Sequence, residues 1–188
     1  TKKKAEQFKT QVLNILAASG ADKVNVIAHS HGAIYARDAI SNLELSEKVA
    51  SYTSLCGPHQ GSVIANLIVN HTSKEVKSIL SGGIDTFYSL VMGDSNPDSL
   101  DNALDLTTDY MRDVFNPNTP DKDGVYYQSW AAKAKWSTPN VILEPIWLYV
   151  LAKKGANDGF ISVSNAKWTN FKGTKDAAWW SPGVDHAN

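Results

Sequence analysis

Apolar side chains at Phe8, Val12, Ile15 and Leu16 share one helical face, and Gly20 follows as a stop, so residues 3 to 19 are predicted to form an amphipathic helix. The next segment, Lys23 to Ala28, is short, β-branched and apolar nearly throughout. That composition predicts a strand buried in a parallel sheet with helices on both faces. Helical spacing returns over Gly32 to Ile40, and Val49 to Leu55 reads as a second strand, ending in the turn-rich Cys56-Gly-Pro-His-Gln-Gly61. The order helix, strand, helix, strand predicts a doubly wound α/β sheet. Residues 62 to 115 break the rhythm. Several helical stretches there, separated by Gly82-Gly83 and by the loop Gly93 to Pro97, predict an inserted cap within a single domain. From Val125 the pattern resumes with an aromatic strand to Trp130, a helix near Ile146 to Ala152, and the turn Asp158-Gly159 leading into Phe160 to Val163.

Composition narrows the function classes. The chain has 188 residues, 43% hydrophobic and 20% charged, enough for a full core in one globular domain. Its formal net charge of −1 creates no field to gather phosphates, and the only cationic cluster is Lys2-Lys3-Lys4, so nucleic acid is not an expected partner. No apolar run reaches the roughly 20 residues of a membrane-spanning helix, and residues 1 to 20 lack the apolar block of a signal peptide. The single cysteine, Cys56, closes no internal disulfide and starts no paired-cysteine zinc site.

The chemistry gathers around Ala28-His-Ser-His-Gly32, where a predicted buried strand meets a predicted helix. That junction is the setting of a nucleophile elbow, whose tight turn needs small residues two before and two after the serine. Ala28 and Gly32 meet this demand and make Ser30 the candidate nucleophile. A serine becomes nucleophilic when a histidine takes its proton and a carboxylate holds that histidine's tautomer, and in this kind of fold the chain order is serine, acid, histidine. His29 and His31 flank the serine and are expected to point away from its Oγ, His31 lending its backbone N–H to an oxyanion hole. His59 precedes any late acid and His71 lies in the cap, which leaves His186 as general base. For the acid, Asp158 sits in the sharp turn Asn157-Asp158-Gly159. Asp176 has no turn residue beside it, and Asp185 adjoins the histidine and would need to fold back on it.

These segments together resemble the bacterial true lipases of the pseudomonad type. The resemblance runs through the strand Lys23-Val-Asn-Val-Ile, the elbow, Gly57-Pro-His-Gln-Gly-Ser62, the cap segment Asp101 to Thr108, Asn157 to Val163 and Asp185-His186. It implies an α/β-hydrolase fold with a helical cap or lid, a secreted protein, and hydrolysis of acylglycerols or other carboxylic esters at an oil–water interface through an acyl-serine intermediate. Ser30, Asp158 and His186 take the triad roles. Members of that family also have earlier strands, a His-Gly-type loop supplying a second oxyanion donor, and a helix beyond the histidine, so this sequence reads as lacking the first strands and last helix of the fold. Where many relatives carry a disulfide cysteine after the acid it has Ser164. Cys56 falls at a threonine-like position and reads as a buried small residue. The resemblance names no dedicated folding chaperone as a partner.

Two expectations concern the cap and a metal. Ile64, Leu67 and Ile68, with Ile79 to Met92, offer more apolar side chains than two short helices need, so some are expected to line an acyl pocket under a lid hinged at Gly82-Gly83 and Gly93. The resembling lipases hold a structural calcium beside the catalytic histidine. Glu144 and Asn188 fall at its ligand positions, with one formal charge in place of two. No cofactor is expected for the chemistry itself. The alternative function is a non-catalytic relative of the same fold that binds a lipid or protein partner.

Overall fold

The computed structural model describes residues 1–70, 103–135, 143–176, 180–181 and 183–187. The first helix, α1 (Lys2–Ser19), ends at Gly20, whose φ of 68° lets its N–H return to the Leu16 carbonyl. Strand β1 (Val24–His29), helix α2 (His31–Asn42), strand β2 (Val49–Leu55) and helix α3 (Val63–Asn70) follow. Helical turns at Thr108–Tyr110, Met111–Phe115 and Asn116–Asn118, the middle one π-helical, lead to strand β3 (Tyr126–Ala132). Helix α4 (Glu144–Lys154), the short helix α5 (Val163–Ala166) and strand β4 (Phe171–Lys175) complete the described part.

Among the described residues the four strands pair in parallel in the order β1-β2-β3-β4. The predicted alternation is therefore met, and each parallel neighbour needs the crossover that the intervening helices supply. Register places His29 opposite Leu55 and Leu55 opposite Trp130. The carboxyl ends of three strands thus lie side by side, the place where open α/β sheets carry their sites.

Helix α2 is held by small residues. Ala33, Ala36 and Ala39 are fully buried with Ile40 against Val26, Ala28 and Tyr52 of the sheet, and Ala5, Val12 and Leu16 of α1 close the same cluster. Tyr52 Oη donates to the Ala33 carbonyl at 2.6 Å, and burial pushes the phenol pKa up. Gly57 is what lets β2 approach this closely. A Cβ there would stand 2.5 Å from Ser54 Oγ and 2.7 Å from Ala33 Cβ. A second cluster joins α3, the Met111–Phe115 turn and α4 through Ile64, Leu67, Met111, Phe115, Ile146 and Val150. Arg37 ties the two regions. Its guanidinium donates to Asn116 Oδ1 and the Thr119 carbonyl, each at 2.7 Å, and lies 4.1 Å over the Trp168 ring.

Two expectations change, and one strand was not foreseen. Strand β1 is not covered on both faces by the described residues: Val26 and Ala28 are buried, whereas Ile27 is 74% exposed. Ile64 and Leu67 pack into the core rather than lining a pocket. Strand β4 went unread because Phe171-Lys-Gly-Thr-Lys175 has no apolar alternation; it joins the sheet by backbone pairing to β3. The hinge glycines and Ile79 to Met92 lie outside the described residues.

Candidate active site

Ser30 stands between β1 and α2 with φ 55° and ψ −132°, a backbone conformation that costs a non-glycine residue about 1–3 kcal/mol. Both ends of the turn are pinned: the Ser30 N–H donates to the Leu55 carbonyl at 3.0 Å, and the Ser30 carbonyl accepts the Ala33 N–H. The strain thus aims one hydroxyl out of a rigid junction. The spaces around it are small, with Ala28 buried and a Cβ at Gly32 lying 3.3 Å from the Tyr35 hydroxyl oxygen.

The three residues picked from chain order converge. His186 Nε2 lies 2.7 Å from Ser30 Oγ, and its Nδ1 lies 2.7 Å from Asp158 Oδ2. With the carboxylate accepting from Nδ1–H, Nε2 is left to accept the serine proton. Asp158 is fully buried and fixed independently of the imidazole, since its Oδ1 accepts the Phe160 and Ile161 N–H groups at 3.0 and 2.8 Å. Burial alone would raise its pKa; the His186 ring, by charge and hydrogen bond, and those two N–H groups outweigh it and hold the pKa below the ordinary carboxylate value. The two loops are also joined through the backbone, the His186 N–H donating to the Asp158 carbonyl at 2.7 Å. Gly183, with φ 113°, brings the histidine loop so close to β3 that a Cβ would stand 2.6 Å from the Lys133 carbonyl oxygen. The Phe160 ring meets His186 edge-on at 5.4 Å and walls the imidazole on one side.

His31 opens α2, so its backbone N–H is among those that a helix start leaves without an intrahelical partner, at the positive end of the dipole. Its side chain is buried on the other side, with Nε2 3.2 Å from Thr1 Oγ1. His59, passed over on chain order, is buried away from the triad. Its Nε2 lies 2.7 Å from Ser54 Oγ, and its ring stacks on Trp168 at 4.7 Å. Asp176 pairs with Lys133 and Lys135, and Asp185 accepts the Ala187 N–H.

Sequence order did not anticipate two neighbours. The His29 ring, expected to turn away, packs against the His186 ring at a centroid distance of 4.5 Å. Cys56, with φ 52° at the end of β2, sits beside Asp158; burial, then the charge and hydrogen bond of that carboxylate, push its pKa up. Of the expected calcium ligands, Glu144 starts α4 half-buried, and Asn188 lies outside the described residues. Among the described residues Glu144 is not part of the cluster of three imidazole, thiol or carboxylate donors, that of His29, Cys56 and His186.

Residues 1–116 match the family described as palmitoyl protein thioesterase. The chain belongs to that family. This chain is also similar to the triacylglycerol lipase of Vibrio cholerae, 32% identical over 187 residues covering 87% of this chain and 58% of the relative. It is 31% identical to the triacylglycerol lipase of Pseudomonas fragi over 71% of this chain and 52% of that one. The resemblance read from the motifs is thus borne out, and the chain spans between half and three fifths of these relatives. Among solved structures, the mature lipase BlEst2 of Bacillus licheniformis superposes with a TM-score of 0.69 at 22% identity, over 97% of this chain and 65% of that one. A metagenomic carboxyl esterase, MGS0156, gives 0.60 at 21% identity, over 88% and 45%. The fold is that of the α/β-hydrolases. Among the described residues no helix is long and apolar enough to cross a membrane.

Proposed function

We propose that this protein is a serine-dependent lipase or carboxylesterase that hydrolyses acylglycerols or other carboxylic esters. The observation that carries the reading is the unbroken chain from Ser30 Oγ through His186 to Asp158, each link 2.7 Å long. His186 Nε2 takes the Ser30 proton as Oγ bonds to the carbonyl carbon, and the His31 N–H at the helix start receives the charge that develops on the carbonyl oxygen. Asp158 balances the imidazolium. As the tetrahedral adduct collapses, the bond to the alcohol oxygen breaks and His186 returns its proton to that oxygen, leaving acyl-serine. Water then repeats the sequence, losing a proton to His186, and the acid leaves with Ser30 restored.

An acylglycerol substrate, action at an oil–water interface and secretion extend this proposal, supported by the relatives' name and by the apolar cap read from the sequence. Hydrolysis of emulsified long-chain triglyceride by the full-length protein is expected to outpace hydrolysis of dissolved short-chain esters. Equal or slower rates on emulsions would remove the lipase assignment and leave a carboxylesterase. A palmitoyl thioester serves in the same assay as the competing substrate class, since the acyl-serine route accepts a thiolate leaving group. A structural calcium held by Glu144 and Asn188 is likewise proposed. The melting temperature should rise with millimolar calcium and lose that rise in Glu144→Ala; identical melting in calcium and EDTA rejects the site.

A further inference from the structure

The carboxyl ends of β1 and β2, and the histidine loop, bring together three donors that esterase chemistry does not require as a set. One ligand atom each from His29, Cys56 and His186 lies within 4.8 Å of the other two. His29 is exposed, whereas Cys56 and His186 are buried, so solvent reaches the group from the His29 side.

We propose that His29, Cys56 and His186 bind a soft or borderline divalent cation, of which Zn²⁺ is the probe, and that its binding switches hydrolysis off; the inhibitory half of this rests on the triad reading above. Two imidazoles and a thiolate are the donor set that selects such cations over calcium or magnesium, which take oxygen ligands. With Zn–N about 2.1 Å and Zn–S about 2.3 Å, tetrahedral binding draws donors to within roughly 3.5 Å of one another. The His29 ring, exposed on one side and already 4.5 Å from the His186 ring, is the member free to close that gap. Cys56 binds as thiolate, its proton passing to solvent as the S–Zn bond forms. Both nitrogens of His186 are already engaged, one with Asp158 and one with Ser30, so a cation on either displaces a hydrogen bond that the chemistry needs. The competition makes the cation an inhibitor instead of a cofactor.

The test uses the full-length protein, His29→Ala and Cys56→Ser, with zinc titrated against p-nitrophenyl acetate hydrolysis and each variant normalised to its own zinc-free rate. Loss of even an outer partner of a metal ligand costs about 10–100-fold in affinity. Each variant should therefore raise the half-inhibiting zinc concentration at least about tenfold, while calcium and magnesium inhibit none of the three proteins. A second readout is independent of activity. Cobalt(II) should give a thiolate-to-metal absorption band in the original protein and none in Cys56→Ser. Zinc inhibition unchanged in both variants, or cobalt binding without the thiolate band, overturns the proposal. A protein that binds cobalt with that band but hydrolyses no ester refutes the triad reading and leaves the metal site standing.

Discussion

Replacing Ser30 by Ala should abolish ester hydrolysis, with a loss of about 10⁶ in kcat, equivalent to roughly 8 kcal/mol of transition-state stabilisation. The change removes the atom that forms the acyl bond and little else, since the elbow is fixed by backbone hydrogen bonds at Ser30 and by packing of α2. Alanine keeps the strained φ of 55° without gaining a contact, so circular dichroism and melting temperature should stay near those of the parent. Asp158→Asn provides an independent arm. The asparagine carbonyl can still accept the Phe160 and Ile161 N–H groups, but its amide would face His186 Nδ1 as a donor and force the ring proton onto Nε2. That tautomer cannot accept from Ser30, and a loss of about 10⁴ is expected. Full activity of Ser30→Ala on p-nitrophenyl esters, or failure of a fluorophosphonate to label Ser30 in the parent, would end the triad reading, because labelling requires an activated serine rather than an exposed hydroxyl.

Most of this site was legible in the sequence because it rests on local rules. A buried strand running into small-x-Ser-x-Gly and a helix describes an elbow without any tertiary information, and chain order supplied His186 and Asp158. What stayed hidden depends on which strands are neighbours. His29 alternates off the buried face of β1, and Cys56 follows the end of β2; only the parallel register that pairs His29 with Leu55 brings the two to one edge of the sheet. Strand β4 was missed for a related reason. With Lys172 and Lys175 exposed and its other side chains only half covered, it has no period-2 apolar signal, and its place is set by ladder bonds to β3. The exposure of Ile27 was equally invisible, since an apolar strand reads the same whether one or both of its faces are covered.

Stability should fall steeply as the pH drops below about 6.5, through histidines buried in the neutral form. His31 has its pKa lowered to about 3, first by burial and then by repulsion from Lys4. His59 lies well below the ordinary value, again by burial first and then by the Arg37 guanidinium. In each ring Nε2 faces a hydroxyl, while Nδ1 has no hydrogen-bond partner among the described residues, so an imidazolium would carry an N–H with no acceptor. Because the folded-state pKa is depressed, the unfolded chain binds the protons first. The stabilisation is complete above the unfolded pKa of about 6.5 and is lost progressively as the pH falls towards the folded-state values. Each histidine contributes a slope approaching 1.4 kcal/mol per pH unit, so the two together should cost about 2 kcal/mol between pH 6 and pH 5. His29, lowered to about 4 but partly open to solvent, adds less. Asp158 extends the loss at lower pH, its own depressed pKa withdrawing stability as the carboxylate is protonated. Urea unfolding of the full-length protein at pH 7.5, 6 and 5 measures the slope directly, and His31→Gln should reduce it by the share of one proton. A stability that does not change across that interval would show that these rings are not buried as neutral imidazoles.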